Sequence, residues 1–556
     1  MDKQGVIAIL EEIGTFLEIK GENPFKCNAY HNAARQLEMY DGTLEQLINS
    51  GDINKIKGIG KSIAEKVTML AHTGGLDYYE ELRKSIPPGL VEMLEIPGFG
   101  PKKAKAVYEK LSLKTVGELE YACRENRLLD LDGFGLKSQE KILQGIEFLK
   151  KRIGQFHFNV AYAAAQILYE ALRSHSKVIR LSLAGSIRRH KEIVRDIDIL
   201  VSAKDNKAVM KTFVGLEPVE QIVAHGDTKS SVVLNTGINA DLRAVTDKQF
   251  PYALHYFTGS KAHNIAVRTR AKQMGIKMNE YGLFKGKREI LIPCKDEEEI
   301  FKVLGLRYIE PELREDTGEI EAAEKGTLPK LVQVGDLRGI FHVHTDYSDG
   351  AVPLKAYVKA AKERGYEYVG IADHSKSAAY ANGLTEQRIR EQQREIDALN
   401  KSVGGVRLLK GVEVDILPDG SLDFSDKVLA TFDFVIASVH SRFNMSEAEM
   451  TRRIITAMKN RYVSMLGHPT GRLLLAREAY AVDMAAIIEA AAKYHVSIEL
   501  NAHPFRLDID WRWCKRTKEA GVKISINPDA HKLEGLNDTQ YGVGIARKGW
   551  LGPEDI

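Results

Sequence analysis

The stretch Gly185-Ser186-Ile187-Arg188-Arg189-His190-Lys191-Glu192-Ile193-Val194-Arg195-Asp196-Ile197-Asp198-Ile199-Leu200 decides how the first half of the chain is read. It follows a strand-like run, Ile179-Arg180-Leu181-Ser182-Leu183, crosses a Gly-Ser turn rich in positive charge, and re-enters a strand that carries Asp196 and Asp198. Side chains alternate faces along a strand, so Asp196 and Asp198 point the same way while Ile197, Ile199 and Val201 point into a core. Side-by-side carboxylates repel, and a divalent cation with a taste for hard oxygen ligands, such as Mg²⁺, removes the repulsion. A bare D-x-D is most often a solvated strand face. The turn upstream changes that reading, because exposed backbone N–H groups, a hydroxyl and guanidinium groups suit a triphosphate.

Outward from this stretch, 556 residues are too many for one core, so several domains are expected. Hydrophobic residues at 44% and charged residues at 28% describe an ordinary globular chain, and a formal charge of +3 requires any basic footprint to be local. Cys27, Cys123, Cys294 and Cys514 stand far apart without a C-x-x-C pair, which argues against a zinc knuckle or a disulfide framework and fits a reducing cytoplasm. No long uncharged apolar run follows the N-terminus, so neither secretion nor membrane insertion is expected.

Residues 1 to about 150 read as short helices punctuated by glycine. Three marks repeat one pattern: Ile56-Lys57-Gly58-Ile59-Gly60-Lys61, Ile96-Pro97-Gly98-Phe99-Gly100-Pro101 and Leu131-Asp132-Gly133-Phe134-Gly135-Leu136. Each resembles a helix-hairpin-helix motif, whose glycines (Gly58, Gly60, Gly98, Gly100, Gly133, Gly135) let backbone N–H groups approach a DNA phosphate without reading a base. Lys66 follows the first hairpin. On spacing it is a solvated helix face, whereas a Schiff-base nucleophile there would need cations nearby, and Lys26, Lys57 and Lys61 are the candidates. Further on, the strand Asn239-Ala240-Asp241-Leu242-Arg243-Ala244-Val245 places Asp241 opposite Ala240 and Leu242, and it completes a carboxylate triad if it pairs beside Asp196 and Asp198. Three acids around two metals suit nucleotidyl transfer.

The order G-S-x-R-R, D-x-D, Asp241 and Tyr256-Phe257-Thr258-Gly259-Ser260 resembles the family X DNA polymerases, the polymerase beta-like nucleotidyltransferases, over residues 1 to about 315. The resemblance implies that Asp196 and Asp198 bind Mg²⁺ or Mn²⁺ and that Asp241 accepts the primer 3′-hydroxyl proton. Gly185, Ser186 and Arg189 would hold the triphosphate, Tyr256, Gly259 and Asn264 the incoming nucleotide, and Arg268 the template minor groove. Lys26 and Tyr30 match 5′-phosphate positions, and Lys66 matches the deoxyribose-phosphate lyase nucleophile. Two positions depart from the pattern: Ser62 stands where a supporting lysine is usual, and Lys261 where an acid is common.

From Gly339 onward seven short apolar runs, ending near Val343, Ala372, Val412, Val439, Leu466, Leu500 and Ile526, alternate with helical stretches in the pattern of a parallel β/α barrel. Six of the sixteen histidines fall at the ends of these runs, where such barrels gather their active sites. His342, His344, Asp349, His374, Glu413, His440, His468, Asp529 and His531 offer a mixed imidazole and carboxylate set that favours Zn²⁺, Mn²⁺ or Fe. The set resembles the PHP (polymerase and histidinol phosphatase) domain over residues 336 to 556, and implies phosphoester hydrolysis at about three divalent ions. His503 and Arg506 are candidates for substrate contact.

The expected architecture is multidomain: a lyase-like helical region (1–84), a fingers-like region with two more hairpins (85–150), an α+β nucleotidyltransferase palm (151–250), a thumb (251–315), a linker by composition (316–335) and a C-terminal distorted (β/α)7 barrel (336–556). The expected function is short-gap filling in DNA repair joined to 3′-5′ exonuclease action, on gapped or nicked duplex DNA with deoxynucleoside triphosphates, by a nucleoid-associated cytoplasmic monomer. The alternatives are a PHP nuclease or abasic endonuclease that the front half only tethers to DNA, and a small-molecule phosphatase with an unrelated passenger.

Overall fold

The computed structural model describes residues 1 to 556 apart from 39, 41, 42, 57, 130, 151–153, 379, 380 and 403, and apart from the side chains at 148 and 150. The chain divides into two compact units, Met1–Leu149 and Lys150–Ile556.

The first unit is helical throughout its described elements. Its opening helix, Lys3–Ile19, shows why: Val6, Leu10, Ile13 and Leu17 recur at helical spacing and are buried, and the Asp2 side chain caps the start by accepting from Gly5 N. The apolar residue between each pair of hairpin glycines, Ile59, Phe99 and Phe134, is buried, and the rings of Phe99 and Phe134 meet edge to face. Thus the hairpins are fixed from within by their central residue while their glycines stay outside.

In the second unit β1 (Phe156–His157) pairs antiparallel with β3 (Ile193–Val194), and β2 (Val178–Leu183), β4 (Asp196–Ala203), β5 (Val219–His225), β6 (Lys229–Leu234) and β7 (Asn239–Val245) form a sheet in the order β2-β4-β7-β6-β5. The pair β4 and β7 is parallel within an otherwise antiparallel sheet. Ile197, Ile199 and Val201 are buried against the helices Phe158–Arg173 and Asn206–Val214, as alternation predicts. The other face is covered too, because Leu200 packs under Phe250 and Ala253 of the helix Phe250–Thr258. β4 is therefore most open at its start, where it carries Asp196 and Asp198. Next, β8 (Ile276–Asn279), β9 (Gly282–Lys285) and β10 (Ile290–Ile292) make an antiparallel three-stranded sheet beside a core of Val267, Phe301 and Leu304.

The segment 316–335, expected as a linker on composition, is packed structure. It holds the helix Glu319–Lys325, buries Ala323 and Leu331 in the preceding core, and joins the barrel through Val332 N, which donates to Leu551 O at 3.0 Å. Its few apolar residues show no period because they serve two different cores.

The barrel strands β11 (Gly339–Val343), β12 (Tyr368–Ile371), β13 (Arg407–Asp415), β14 (Phe434–Ser438), β15 (Met465–Leu466), β16 (Ser497–Asn501) and β17 (Ile524–Asn527) are all parallel and neighbour one another in chain order. The last returns to the first: His344 N donates to Ala530 O at 2.9 Å and Ala530 N to His342 O at 3.2 Å, so the barrel is nearly closed. β13 runs to Asp415, beyond the expected end at Val412, which puts Glu413 inside the strand with Asp415 on its face. All four cysteines are buried and free. Among the described residues no helix is long and apolar enough to cross a membrane.

Candidate active sites

The palm acids meet through strand register. Parallel pairing sets Asp198 opposite Asp241, one residue pair along from Ile197 and Ala240, with Asp196 at the exposed end of β4. Burial raises the Asp198 carboxyl to about 6, and the charges of Asp196 and Asp241 push in the same direction. Such a cluster accepts a divalent cation readily, because the ion offsets both the desolvation and the repulsion. Gly185 is required here: its φ is +59°, and a Cβ would stand 2.1 Å from Asp198 Oδ2. Ser186 Oγ is buried with no hydrogen-bond partner in the protein, a hydroxyl available to a ligand.

The paired arginines separate. Arg188 turns inward, where its Nη2 meets Glu297 Oε2 at 2.5 Å and its Nη1 donates to Thr258 Oγ1 at 2.5 Å. Arg189 stays at the site, its Nε donating to Glu315 Oε1 at 3.1 Å and its Nη1 to Thr258 O. Gly259, with φ of +70°, keeps room for that guanidinium, since a Cβ would come within 3.0 Å of Nη1. Asn264 Nδ2 donates to Tyr256 O at 2.8 Å, which ties two of the residues expected to line the nucleotide, while Arg268 is exposed with its Nε 3.3 Å from Asn264 O.

One residue that sequence reasoning gave no role stands out. Lys229 Nζ lies 2.8 Å from Asp241 Oδ2, because β6 pairs antiparallel with β7 and sets Lys229 opposite Arg243, two residues along from Asp241. Its only sequence signal was its place in Gly226-Asp227-Thr228-Lys229-Ser230.

In the helical unit Gly58, Gly98 and Gly133 hold φ of +99°, +77° and +85°. Gly60 and Gly100 precede the helices Lys61–Thr73 and Pro101–Leu111 without any side-chain cap, so N–H groups at the helix starts receive no cap, Pro101 itself having none to offer. A Cβ at Gly60, Gly100 or Gly135 would meet nothing within 4 Å, so the fold does not demand glycine there, whereas at Gly98 and Gly133 the positive φ itself favours it. Lys66 Nζ donates to Ser62 Oγ at 2.8 Å and lies 5.3 Å from the Tyr78 ring centroid. Lys57 lies outside the described residues. Lys26 pairs with Glu22 at 3.4 Å, and Tyr30 is buried, which pushes its phenol up to about 12.

At the mouth of the barrel all nine expected ligands converge. Among the described residues, ligand atoms within 4.8 Å of one another form four overlapping groups: His344, Asp349, His374 and His531; His342, Glu413 and His468; His342, His344 and Asp529; and His374, Glu413 and His440. No such tight group includes the palm acids. Glu413 is the hub, with its Oε1 2.9 Å from His468 Nε2 and its Oε2 3.0 Å from His374 Nδ1. The backbone is bent to achieve this: His342, His468 and Asp529 hold φ of +56°, +23° and +50°, and β11 bulges between Ile340 and Val343.

The charges in this cluster oppose one another. Burial would lower the His342 imidazole, but Glu499, Asp529 and Glu413 hold it well above its ordinary value, and Asp349 and Glu413 lift His374 to about 10. Burial and the neighbouring His531 lower His344 to about 4, while burial and Arg506 do the same to His468. Burial would raise Glu413, Asp349 and Asp529, but the imidazoles around them hold all of them well below the carboxylate range. His342 Nε2, both ring nitrogens of His344, Asp349 Oδ2 and His468 Nδ1 are buried without a well-aligned hydrogen bond. Lone pairs so placed, on nitrogen and oxygen together, fit divalent cations.

Behind the ligands stand residues the sequence reading missed. Glu499 Oε1 meets His342 Nδ1 at 2.6 Å and its Oε2 accepts from His468 N at 2.7 Å, and Asp415 Oδ1 meets His440 Nδ1 at 2.5 Å. Asp373 accepts from Thr345 N at 2.8 Å and Gln392 Nε2 at 2.5 Å, pinning the turn after β11. Carboxylates of this kind set the tautomer and angle of a ligating imidazole. Period-two spacing from Glu413 to Asp415 was the available signal. Arg506 is buried, with its Nε 3.5 Å from Asp529 Oδ2, whereas His503 is only partly buried, with its ring against Phe505.

Four family descriptions match this chain: a helix-hairpin-helix domain at residues 1–76, a SAM-like helix-hairpin-helix tandem at 90–147, a DNA polymerase beta thumb at 253–315 and a PHP domain at 341–503. Probable phosphatases match a part of the chain: one of Thermoanaerobacter sp. (strain X514) is 31% identical over 201 residues, 34% of this chain and 77% of that protein. Another, of Tolumonas auensis, is 30% identical over 217 residues, 37% of this chain and 82% of its own length. A DNA polymerase/3′-5′ exonuclease PolX of Bacillus subtilis (strain 168) is 39% identical over 558 residues, covering 100% of this chain and 97% of that protein. Matched end to end in this way, the chain belongs to the family X DNA polymerases that carry a C-terminal PHP domain.

Proposed function

We propose that this protein extends primers across short gaps in duplex DNA at its palm and removes nucleotides from 3′ ends at its barrel. The observation that carries the reading is the coexistence, in one chain, of an acid triad set by strand register and a separate nine-residue cluster at a barrel mouth. At the palm, Asp196 and Asp198 would hold Mg²⁺ or Mn²⁺, and Asp241 would accept the primer 3′-hydroxyl proton once Lys229 releases its Oδ2. Ser186 Oγ and Arg189 would hold the triphosphate, with Tyr256, Gly259 and Asn264 under the sugar and base.

At the barrel, the nine ligands would hold about three divalent ions, of Zn²⁺, Mn²⁺ or Fe, which when bound supply an activated water and neutralise charge on a phosphodiester. Glu499 and Asp415 would keep His342 and His440 aimed. The open hairpin glycines would grip phosphates without base contacts, which suits an enzyme that must act at any gap in the nucleoid. A monomer suffices, since each cluster is complete within the chain.

The test uses a gapped duplex with a 5′-labelled primer. With deoxynucleoside triphosphates and Mn²⁺ the primer should lengthen by the gap, without triphosphates it should shorten from its 3′ end, and a chelator should stop both. Shortening without any extension, over a range of Mg²⁺ and Mn²⁺ concentrations, would overturn the polymerase half of the reading.

A further inference from the structure

Lys548 ends the helix Thr539–Lys548, which packs on the barrel, yet its ammonium meets palm and thumb residues. The side chain is fully buried and lies near the Trp511 ring, with Nζ 4.8 Å from its centroid. Nζ donates to Glu315 Oε1 at 2.5 Å, to the backbone oxygen of Arg189 at 3.1 Å and to Glu312 O at 3.5 Å. Three donors thus find three acceptors.

The same helix presses on the next residue as well. Gly544 faces His190, where a Cβ would stand 2.2 Å from Nδ1. The barrel therefore holds the backbone of Arg189 and the ring of His190 at once.

The carboxylate that Lys548 meets is the one that also holds the guanidinium. Glu315 Oε1 accepts from Arg189 Nε at 3.1 Å, and Oε2 lies 3.9 Å from Lys191 Nζ. Burial would raise the Glu315 carboxyl, but Lys548 and then Arg189 hold it below its ordinary range, so it is ionised. Without Lys548 the buried carboxylate would lean harder on Arg189, with Lys191 farther off at 3.9 Å, and would leave excess negative charge beside the triphosphate site.

We infer that Lys548 is a positioning residue for nucleotide binding: by satisfying Glu315 from the barrel side, it leaves the charge of Arg189 to an incoming triphosphate. The inference rests on the polymerase reading, in which Arg189 meets the triphosphate. The barrel then acts on the palm as structure, apart from any chemistry of its own.

The experiment uses the full chain on a gapped duplex with an oligo(dA) template and dTTP, comparing the unaltered protein with Lys548→Met, Glu315→Gln and the double variant. Lys548→Met should raise KM for dTTP about tenfold, the size of a typical coupling between sites, with kcat changed by less than about twofold. Primer shortening without dTTP should be unchanged. Adding Glu315→Gln should return KM close to that of Glu315→Gln alone, because the uncompensated charge is gone. An unchanged KM in Lys548→Met, or a double variant no better than the single, overturns the inference. So does a parallel loss of extension and shortening, which marks a merely structural role. If the unaltered chain does not extend the primer, the polymerase reading fails and takes this inference with it.

Discussion

Gly185 and Asp198 occupy space that only one of them can fill with a side chain. A methyl group at residue 185 would meet Asp198 Oδ2 at 2.1 Å, in a backbone conformation with φ of +59°. Gly185→Ala should therefore displace the carboxylate from the position that extension needs and lower single-nucleotide incorporation by about 10²-fold, as a misplacement of roughly 1 Å does, while shortening at the barrel persists. At the other site Asp415→Asn should weaken 3′ shortening roughly 10- to 100-fold, the usual cost of losing a carboxylate behind a ligating histidine, and leave extension intact. Comparing the two rates for both variants checks both outcomes. Residues of these two kinds were not equally legible. Gly185 and the nine candidate ligands of the barrel announce themselves in local spacing, whereas Lys229 and Glu499 meet partners that only the folded chain brings near.

Elements show the same division between local pattern and tertiary partner. The three glycine hairpins are readable because each is a local conformation, a positive-φ glycine just ahead of a helix, and the first two helices start without a side-chain cap. Gly100→Ala meets no protein atom within 4 Å, so it should leave stability within about 0.5 kcal/mol yet weaken binding to duplex DNA of every sequence, measured as a uniform rise in Kd at fixed salt. The fate of Arg188 was not readable, because Glu297 and Arg314 come from later elements. Burial would raise the Glu297 carboxyl, but Arg314 and Arg188 hold it well below the ordinary range, with Arg314 Nη1 2.5 Å from Glu297 Oε1. Glu297→Gln leaves two buried cations undercompensated and should cost about 3–5 kcal/mol in urea unfolding of the second unit. A depressed carboxyl stabilises the folded state fully above its unfolded value of 4.5 and loses that contribution as pH falls through the folded one. The gap between the unaltered protein and Glu297→Gln should thus stay constant from pH 7 to 4.5 and narrow only below that.

At the scale of the molecule, composition suggested a linker at 316–335, and the structure makes that segment a shared wall of two cores. Periodicity could not reveal it, since Val332 serves the barrel while Ala323 serves the sheet before it. The order of the parts was legible, because each part carries its own motif. The central claim is that two chemistries of opposite direction occupy separate clusters with no residue in common. Its most direct measurement follows primer length on a gapped duplex in Mn²⁺ for the intact chain, Asp198→Ala and His344→Ala. Asp198→Ala should lose extension and keep 3′ shortening, and His344→Ala should lose shortening and keep extension. Loss of both activities in either variant, with the protein still folded by urea melt, would contradict the two-site account.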